Sequence, residues 1–284
     1  MDQPGGIFWV ASYPKSGNTW VRVFLNNLFV IQTEGLDAAP SDINKLQRIA
    51  GWDVGNEQVF EVLKKPVEQA SKEDIAFARF KIQEMIANQN PKIQLVKTHN
   101  MLGYKDNFPT INMSVTAGGV YVIRNPLDIA VSFANHLNCD YDTAIRIMAT
   151  PDYQSEFGQK SIGEIYGSWT QNVNSWTKAE NEALLVLKYE DLLEDPIKNF
   201  GLLADHLRQF PSDAELERAV ELSSFEILKE QEREKGFYEK PQSMKEFFRK
   251  GKVDQWKNEL STAQVETLRV IHAEEMSKFG YLET

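Results

Sequence analysis

IFWVASYPKSGNTWVRVFL, residues 7–25, opens in one structural pattern and closes in another. Ile7 to Ala11 is an unbroken apolar run between Gly5-Gly6 and Ser12-Tyr13-Pro14, the signature of a strand buried on both faces, and such strands imply a parallel sheet. Trp20, Val21, Phe24, Leu25 and Leu28 then recur at helical spacing, so the segment between is a tight loop joining strand to helix. Ligands of parallel sheets dock at such junctions. Backbone N–H groups at the helix N-terminus, the hydroxyls of Ser16 and Thr19 and the ammonium of Lys15 can together surround a phosphate, and Gly17 lets the backbone come close. A Walker A loop needs a glycine before Lys-Ser/Thr and a longer glycine-spaced turn. Neither is present, which argues against a standard ATPase. Taken alone, the segment also reads as an ordinary polar turn with a solvated lysine.

Working outward, Ile93 to Val96, Val120 to Ile123 and Leu184 to Leu187 are further apolar strand candidates, each leading to a helical pattern or to a polar loop before one. Alternating β and α predicts an α/β fold: an open, doubly wound central parallel sheet flanked by helices. Asn125 caps a helix with Pro126 in its first turn and Ala130, Phe133, Ala134 and Leu137 on one face. Asp195-Pro196 opens another, with Ile197, Phe200, Leu203 and Leu207 inward, and Ser161 with Glu164 resembles a capping box before Ile165, Trp169, Val173 and Trp176. Residues 33–90 lack strand signals and are expected to be helices and loops. Residues 232–250, with Lys/Glu clusters around Gly236, Phe237, Tyr238 and Pro241, read as a long loop of the kind that forms functional lids.

At 284 residues, 42% hydrophobic and 25% charged, the chain suits one globular domain, 1–284, with insertions. It has no uncharged apolar stretch of the roughly 18 residues that would span a membrane, and Met1-Asp2-Gln3-Pro4 lacks the basic start of a secretory signal, so a cytoplasmic protein is expected. Cys139 is the only cysteine, which rules out an intrachain disulfide and a thiolate metal cage; it reads as a small apolar residue in a helix. A net charge of −10 argues against nucleic acid or anionic membrane as partner, so an anionic ligand requires a locally basic pocket.

Several segments together carry a family resemblance. Tyr13 to Trp20, YPKSGNTW, resembles the 5′-phosphosulfate-binding loop of the cytosolic-type sulfotransferases that use 3′-phosphoadenosine 5′-phosphosulfate (PAPS), with Asn18 where the family usually has Thr. Lys97-Thr98-His99 is similar to the family's KTH motif, and Arg124-Asn125-Pro126-Leu127-Asp128, continuing to Ser132, to its 3′-phosphate-binding segment. Leu187-Lys188-Tyr189-Glu190-Asp191 resembles the YED strand end. Ser223-Ser224-Phe225 falls where the family contacts adenosine, and Phe248-Arg249-Lys250-Gly251 resembles its RKG motif. The resemblance extends along most of the chain, and the order of the motifs is the family's.

The resemblance implies a donor site built from Lys15, Ser16, Gly17, Asn18, Thr19, Trp20, Arg124, Ser132, Tyr189, Ser224, Phe225, Arg249, Lys250 and Gly251, with Trp20 and Phe225 stacking on adenine. Arg124 and Ser132 lie eight residues apart, just over two helical turns, so a guanidinium fork and a hydroxyl can face one phosphate. Arg249, Lys250 and the Gly251 amide are expected to close over it. PAPS carries about −4 near neutrality, a terminal phosphate adding roughly −1.5 to −2, and these cations offset it within an acidic protein.

His99, at the C-terminal end of a core strand, is the expected general base, with Lys15 and Lys97 stabilising charge on the bridging oxygen and the sulfonate. His136, His206 and His272 are the other histidines, the last two read as surface or packing residues and His136 as a possible acceptor-side residue. The product that the resemblance implies is 3′-phosphoadenosine 5′-phosphate (PAP), and no metal is expected. The implied acceptor is a small molecule bearing a hydroxyl or amine, for which Tyr104, Phe108, Phe133, Tyr141, Tyr153 and Tyr166 are candidate pocket aromatics, most of them reading equally as core residues. Asp140 and Asp142 suit a cationic acceptor or, as the blander reading, a solvated acidic turn.

Two departures stand out. Where the family has Gly-Asp before the tryptophan of RKGxxGDW, this chain has Asp254-Gln255, and Asn100-Met101 replaces Leu-Pro after His99. The dimerisation motif of animal members is not recognisable, leaving the oligomeric state open with a monomer favoured. A nucleotide-dependent small-molecule kinase, a catalytically silent nucleotide-binding protein and a polysaccharide sulfotransferase are the alternatives.

Overall fold

The computed structural model describes residues 5–48, 50–156, 161–241 and 244–282. Met1 to Pro4, residues 157–160 and residues 242–243 of the expected lid lie outside the described residues. Among the described residues the strands are β1 (Ile7–Ser12), β2 (Ala50–Trp52), β3 (Gln94–Thr98), β4 (Tyr104–Lys105), β5 (Phe108–Pro109), β6 (Thr116–Ile123) and β7 (Leu184–Lys188). The larger sheet runs β2-β3-β1-β6-β7, and β4 and β5 form a separate antiparallel pair. β1 pairs with β3 in parallel, Ile7 opposite Gln94 and Ala11 opposite Thr98, and β2 pairs with β3 in parallel, Gly51 opposite Val96.

The α/β architecture expected from the sequence is the one observed, an open parallel sheet with helices between its strands. β1 is buried along its whole length, as its continuous apolar run requires. The chain leaves β1 for strands on one side of it and later returns to add β6 on the other. This reversal is the topological position at which open sheets bind ligands, and Tyr13 to Gly17 follow it directly.

The chain folds as two compact units: the described residues of 1–14, 50–121 and 147–186, and those of 15–49, 122–146 and 187–284. In the first, Trp9 is fully buried, and its Nε1–H donates to Thr116 Oγ1 at 2.9 Å. The Lys72–Asn88 helix starts at a capping box of Ser71 and Asp74 and buries Ile75, Ala78, Ile82 and Ile86. In the second, the Asn18–Glu34 helix buries Val21, Phe24, Leu25 and Leu28, and Phe24 stacks on Phe200 with centroids 4.2 Å apart. Asn125 and Asp195 cap the Pro126–Leu137 and Pro196–His206 helices, accepting from the N–H of Leu127 and of Lys198, as their sequence pattern predicts.

The structure corrects several local expectations. β2 lies inside 33–90, where no strand was signalled; three residues carry no periodicity, and pairing with β3 decides their state. The Ser161/Glu164 pattern does not start a helix. The helix runs Trp169–Thr177 behind a capping box of Ser168 and Gln171, and Gly163 and Gly167, with φ of 71° and 64°, keep the intervening backbone non-helical. The expected 232–250 loop begins late, because the Phe225–Lys235 helix continues to a stop at Gly236. Ile197 and Leu137, each 38% exposed, sit at helix ends and do not face inward. Cys139 follows the Pro126–Leu137 helix and is not part of it. No helix among the described residues is long and apolar enough to cross a membrane.

Candidate functional site

The residues expected to hold the donor all fall in the second unit. Lys15 takes a left-handed φ of 68° and Gly17 one of 107°, after which the helix begins at Asn18. A Cβ at Gly17 would lie 2.7 Å from Tyr189 Cδ2, so both conformation and packing demand glycine there. Arg124 is buried and binds this turn, its Nη1 donating to the Lys15 carbonyl at 3.0 Å and its Nη2 to the Lys252 carbonyl at 3.2 Å. Its guanidinium carbon stands 4.2 Å from the Tyr189 ring centroid.

Ser16 Oγ and Arg124 Nε are buried and have no hydrogen-bond partner among the described residues. Two orphaned donors, one on the turn and one on the arginine that binds it, next to a helix N-terminus, are what an anion would satisfy. Burial and the neighbouring Arg124 push the Lys15 ammonium down from 10.5 to about 7, with Glu232 opposing, and its Nζ lies 4.0 Å from the Phe247 ring centroid.

Trp20 donates from Nε1 to the Ser223 carbonyl at 2.9 Å and meets Tyr189 and Phe200 edge-on at 5.9 and 5.2 Å. Ser224 is the N-cap position of the helix that Phe225 begins, and Phe225 lies against Gly251, where a Cβ would stand 2.4 Å from its ring. Ser132 is half-buried on the Pro126–Leu137 helix, as is Thr19 in the first turn of its own. The hydrogen bonds of Arg249 and Lys250 go elsewhere, to Gln255 Oε1 and Glu259 Oε1, each at 3.0 Å. The structure thus gathers Lys15, Arg124 and Tyr189 directly and engages Arg249 and Lys250 with other partners.

Asp128 lies within the Arg124-to-Asp128 motif, and its position in the sequence assigns it no role. Its carboxylate accepts the backbone N–H of Asp254 at 2.8 Å and of Trp256 at 3.2 Å. Asp254 has φ of 62°, so the position where the family resemblance expects glycine keeps the left-handed backbone, which aspartate tolerates, and Asp128 pins it. Glu232 was also missed. It accepts the N–H of Phe247 at 2.7 Å and of Phe248 at 2.8 Å, immediately before Arg249.

The catalytic candidates His99 and Lys97 fall in the first unit. His99 Nδ1 lies 2.8 Å from the Ser12 carbonyl oxygen and 3.2 Å from Ser12 Oγ. A carbonyl only accepts, so Nδ1 carries the proton of the neutral ring and Nε2 carries the lone pair. The backbone of His99 is held at both ends: its N–H donates to Glu164 Oε1 at 2.7 Å, and its carbonyl accepts from Asn172 Nδ2 at 3.0 Å. Lys97 Nζ meets Glu164 Oε2 at 2.8 Å. Burial pushes the Glu164 carboxyl up, but Lys97, His99 and the hydrogen bonds outweigh it and hold it at about 2.

Asn100, the first departure after His99, is buried and accepts the Ile165 N–H on Oδ1 at 2.7 Å, while its carbonyl accepts from Trp176 Nε1 at 3.0 Å. Of the candidate aromatics, Tyr166 stands edge-on to His99 at 6.1 Å and contacts Tyr13 and Tyr153, whereas Tyr104 is 76% exposed and Phe133 is core. Asp140 accepts the Thr143 N–H within its own turn, and Asp142 accepts from Gln264, 122 residues on, so both carboxylates already hold partners.

Comparison with known proteins follows these motifs. Sulfotransferase 1B1 of Canis lupus familiaris is 28% identical over 276 residues, covering 94% of this chain and 82% of that one. Sulfotransferase 1E1 of Homo sapiens is 29% identical over 89% of this chain and 78% of its own. Among solved structures, mouse sulfotransferase SULT7A1 complexed with PAP has a TM-score of 0.63 at 21% identity, covering 96% of this chain and 84% of that one. Retinol dehydratase in complex with retinol and PAP has a TM-score of 0.65 at 19% identity, covering 96% and 82%. Both structures share the fold. The profile of the sulfotransferase domain matches residues 7–280, and the chain therefore belongs to the sulfotransferase domain family.

Proposed function

We propose that this protein transfers the sulfonate of PAPS to a hydroxyl or amine of a small-molecule acceptor and releases PAP. The observation that carries the donor assignment is the turn at Lys15 to Gly17, where the buried Ser16 Oγ and Arg124 Nε await an acceptor beside a partly neutral lysine. In this reading Lys15, Ser16, Gly17, Asn18 and Thr19 bind the 5′-phosphosulfate, and Arg124, Ser132, Arg249, Lys250 and Gly251 bind the 3′-phosphate. Trp20, Ser224 and Phe225 hold the adenosine, and Tyr189 backs the turn. The family match runs through both units, which supports treating 1–284 as one sulfotransferase domain. A lone cysteine fits a reducing, cytoplasmic setting.

The chemistry balances with this chain's residues. The acceptor oxygen or nitrogen forms a new bond to sulfur while the bond from sulfur to the bridging phosphate oxygen breaks, its electron pair leaving on PAP. The acceptor's proton goes to His99 Nε2, a transfer worth about 10²- to 10⁴-fold in rate. Lys15 and Lys97 offset the charge that develops on the bridging oxygen and the sulfonate. For the acceptor, the relatives include 3-beta-hydroxysteroid sulfotransferase of Cavia porcellus, 31% identical over 61% of this chain, which supports a small hydroxyl-bearing molecule.

The test is sulfonate transfer from labelled PAPS to a metabolite library, read by mass spectrometry for sulfonated products. Wild-type product together with a His99→Ala variant that binds PAP but turns over at least about 100-fold more slowly is the expected result. An unchanged rate in that variant removes His99 from the base role.

A further inference from the structure

We propose that Glu164 is a positioning residue for sulfonate transfer, its one carboxylate gripping both the Lys97 ammonium and the His99 backbone N–H and compensating the lysine beside the base. The inference rests on the reading of His99 as the base. Glu164 Oε2 stands 2.8 Å from Lys97 Nζ, and Oε1 accepts the His99 N–H at 2.7 Å. The carboxylate is 65 residues away in sequence, yet it bridges two groups only two residues apart.

Its own placement is fixed from every side. Glu164 N–H donates to Ser155 Oγ at 2.9 Å, and its carbonyl accepts the Ser155 N–H at 2.9 Å. The preceding Gly163 carbonyl accepts from Nη2 of the buried Arg79 at 2.9 Å, and the following Ile165 is bonded through its N–H to Asn100 Oδ1 and through its carbonyl to the Met101 N–H. Gly163 has φ of 71°, and a Cβ there would come within 2.4 Å of the Ser155 carbonyl oxygen, so the loop has one path. With Ser12 on the ring and Asn172 on the carbonyl, His99 is held at three points, one of them Glu164.

The electrostatic consequence follows from Coulomb's law. A cation two residues from His99 opposes protonation of the imidazole, and a paired anion cancels that opposition. The charged and titratable groups facing this carboxylate are Lys97, His99, Arg79 and Asp53, with Tyr166 beside it. Lys97 and His99 keep it ionised throughout the working range. Glu164 thereby keeps His99 basic while it takes the acceptor's proton, and holds the Lys97 ammonium at a fixed place.

The experiment compares pH profiles of sulfonate transfer for wild type, Glu164→Gln, Lys97→Met and His99→Ala, each checked for PAP binding by calorimetry. Glu164→Gln keeps the shape and loses the charge. It is expected to lower kcat about 10- to 100-fold with KM for PAPS unchanged, and to move the acid limb of kcat/KM to lower pH, because Lys97 is then uncompensated. Wild-type kcat with a stationary acid limb overturns the inference. Should Glu164→Gln fail to fold, Lys97→Met decides: it leaves Glu164 uncompensated, so the limb must move to higher pH, and a stationary limb overturns the proposal. Full activity of His99→Ala would instead defeat the reading of the base, whereas a slow His99→Ala beside a wild-type-like Glu164→Gln defeats only the role given to Glu164.

Discussion

The guanidinium of Arg124 stands over the ring of Tyr189, its carbon 4.2 Å from the centroid, and the same group donates to the carbonyl of Lys15. One side chain thus fixes the strand end after β6, the residue after β7 and the turn after β1, leaving Nε for a ligand. Arg124→Lys keeps the charge but loses the fork and the guanidinium's contact with the Tyr189 ring. It is expected to raise the Kd for PAP about 10- to 100-fold, measured by calorimetry, with little change in circular dichroism.

Lys15 couples donor binding to protons. With its ammonium pushed down to about 7, a fraction of Lys15 is neutral in the free protein above that pH, and an anionic nucleotide favours the charged form. PAP binding at mildly alkaline pH should therefore take up protons. Calorimetry in buffers of different ionisation enthalpy measures the uptake, and Lys15→Met should abolish it.

Asp128 holds the Asp254 to Trp256 turn through two backbone N–H groups. Asp128→Ala leaves both donors without that acceptor and should cost about 1–3 kcal/mol of stability in chemical denaturation, together with weaker PAP binding. Asp128→Asn retains an acceptor oxygen and should cost less than the alanine variant.

Stability should depend on His272. It is fully buried, and burial pushes its imidazole from 6.5 down to about 4. The folded state's value lies below the unfolded one, so the unfolded chain binds the extra proton first. The contribution is present above 6.5 and is lost as pH falls towards 4, by up to about 3 kcal/mol. A His272→Asn variant should show a flatter denaturation midpoint across that window.

Much of this was legible in sequence because it is local. The apolar run of Ile7 to Ala11, the helical spacing from Trp20, and the caps at Asn125 and Asp195 each involve neighbours within a few positions. Short-range patterns also mislead where they are degenerate. Ser161 and Glu164 have capping-box spacing, but the box that forms is Ser168 with Gln171, and Glu164 pairs instead with Lys97 and His99. β2 had no signal at all, since a three-residue strand exists only through its pairing with β3.

Short-range patterns specify the strand–turn–helix at Tyr13 to Trp20, the alternation of strands and helices, and the order of the motifs that mark the family. Dihedral preference, burial period and turn chemistry act over short stretches of chain, so they can be read along it. It takes the folded chain to show that Glu164 bridges Lys97 and His99, that Asp128 pins Asp254, and that Arg249 and Lys250 turn to Gln255 and Glu259. The Glu164 and Asp128 contacts depend on which charges and amides are carried out of water together, and that is set by where the folded chain places residues far apart in sequence.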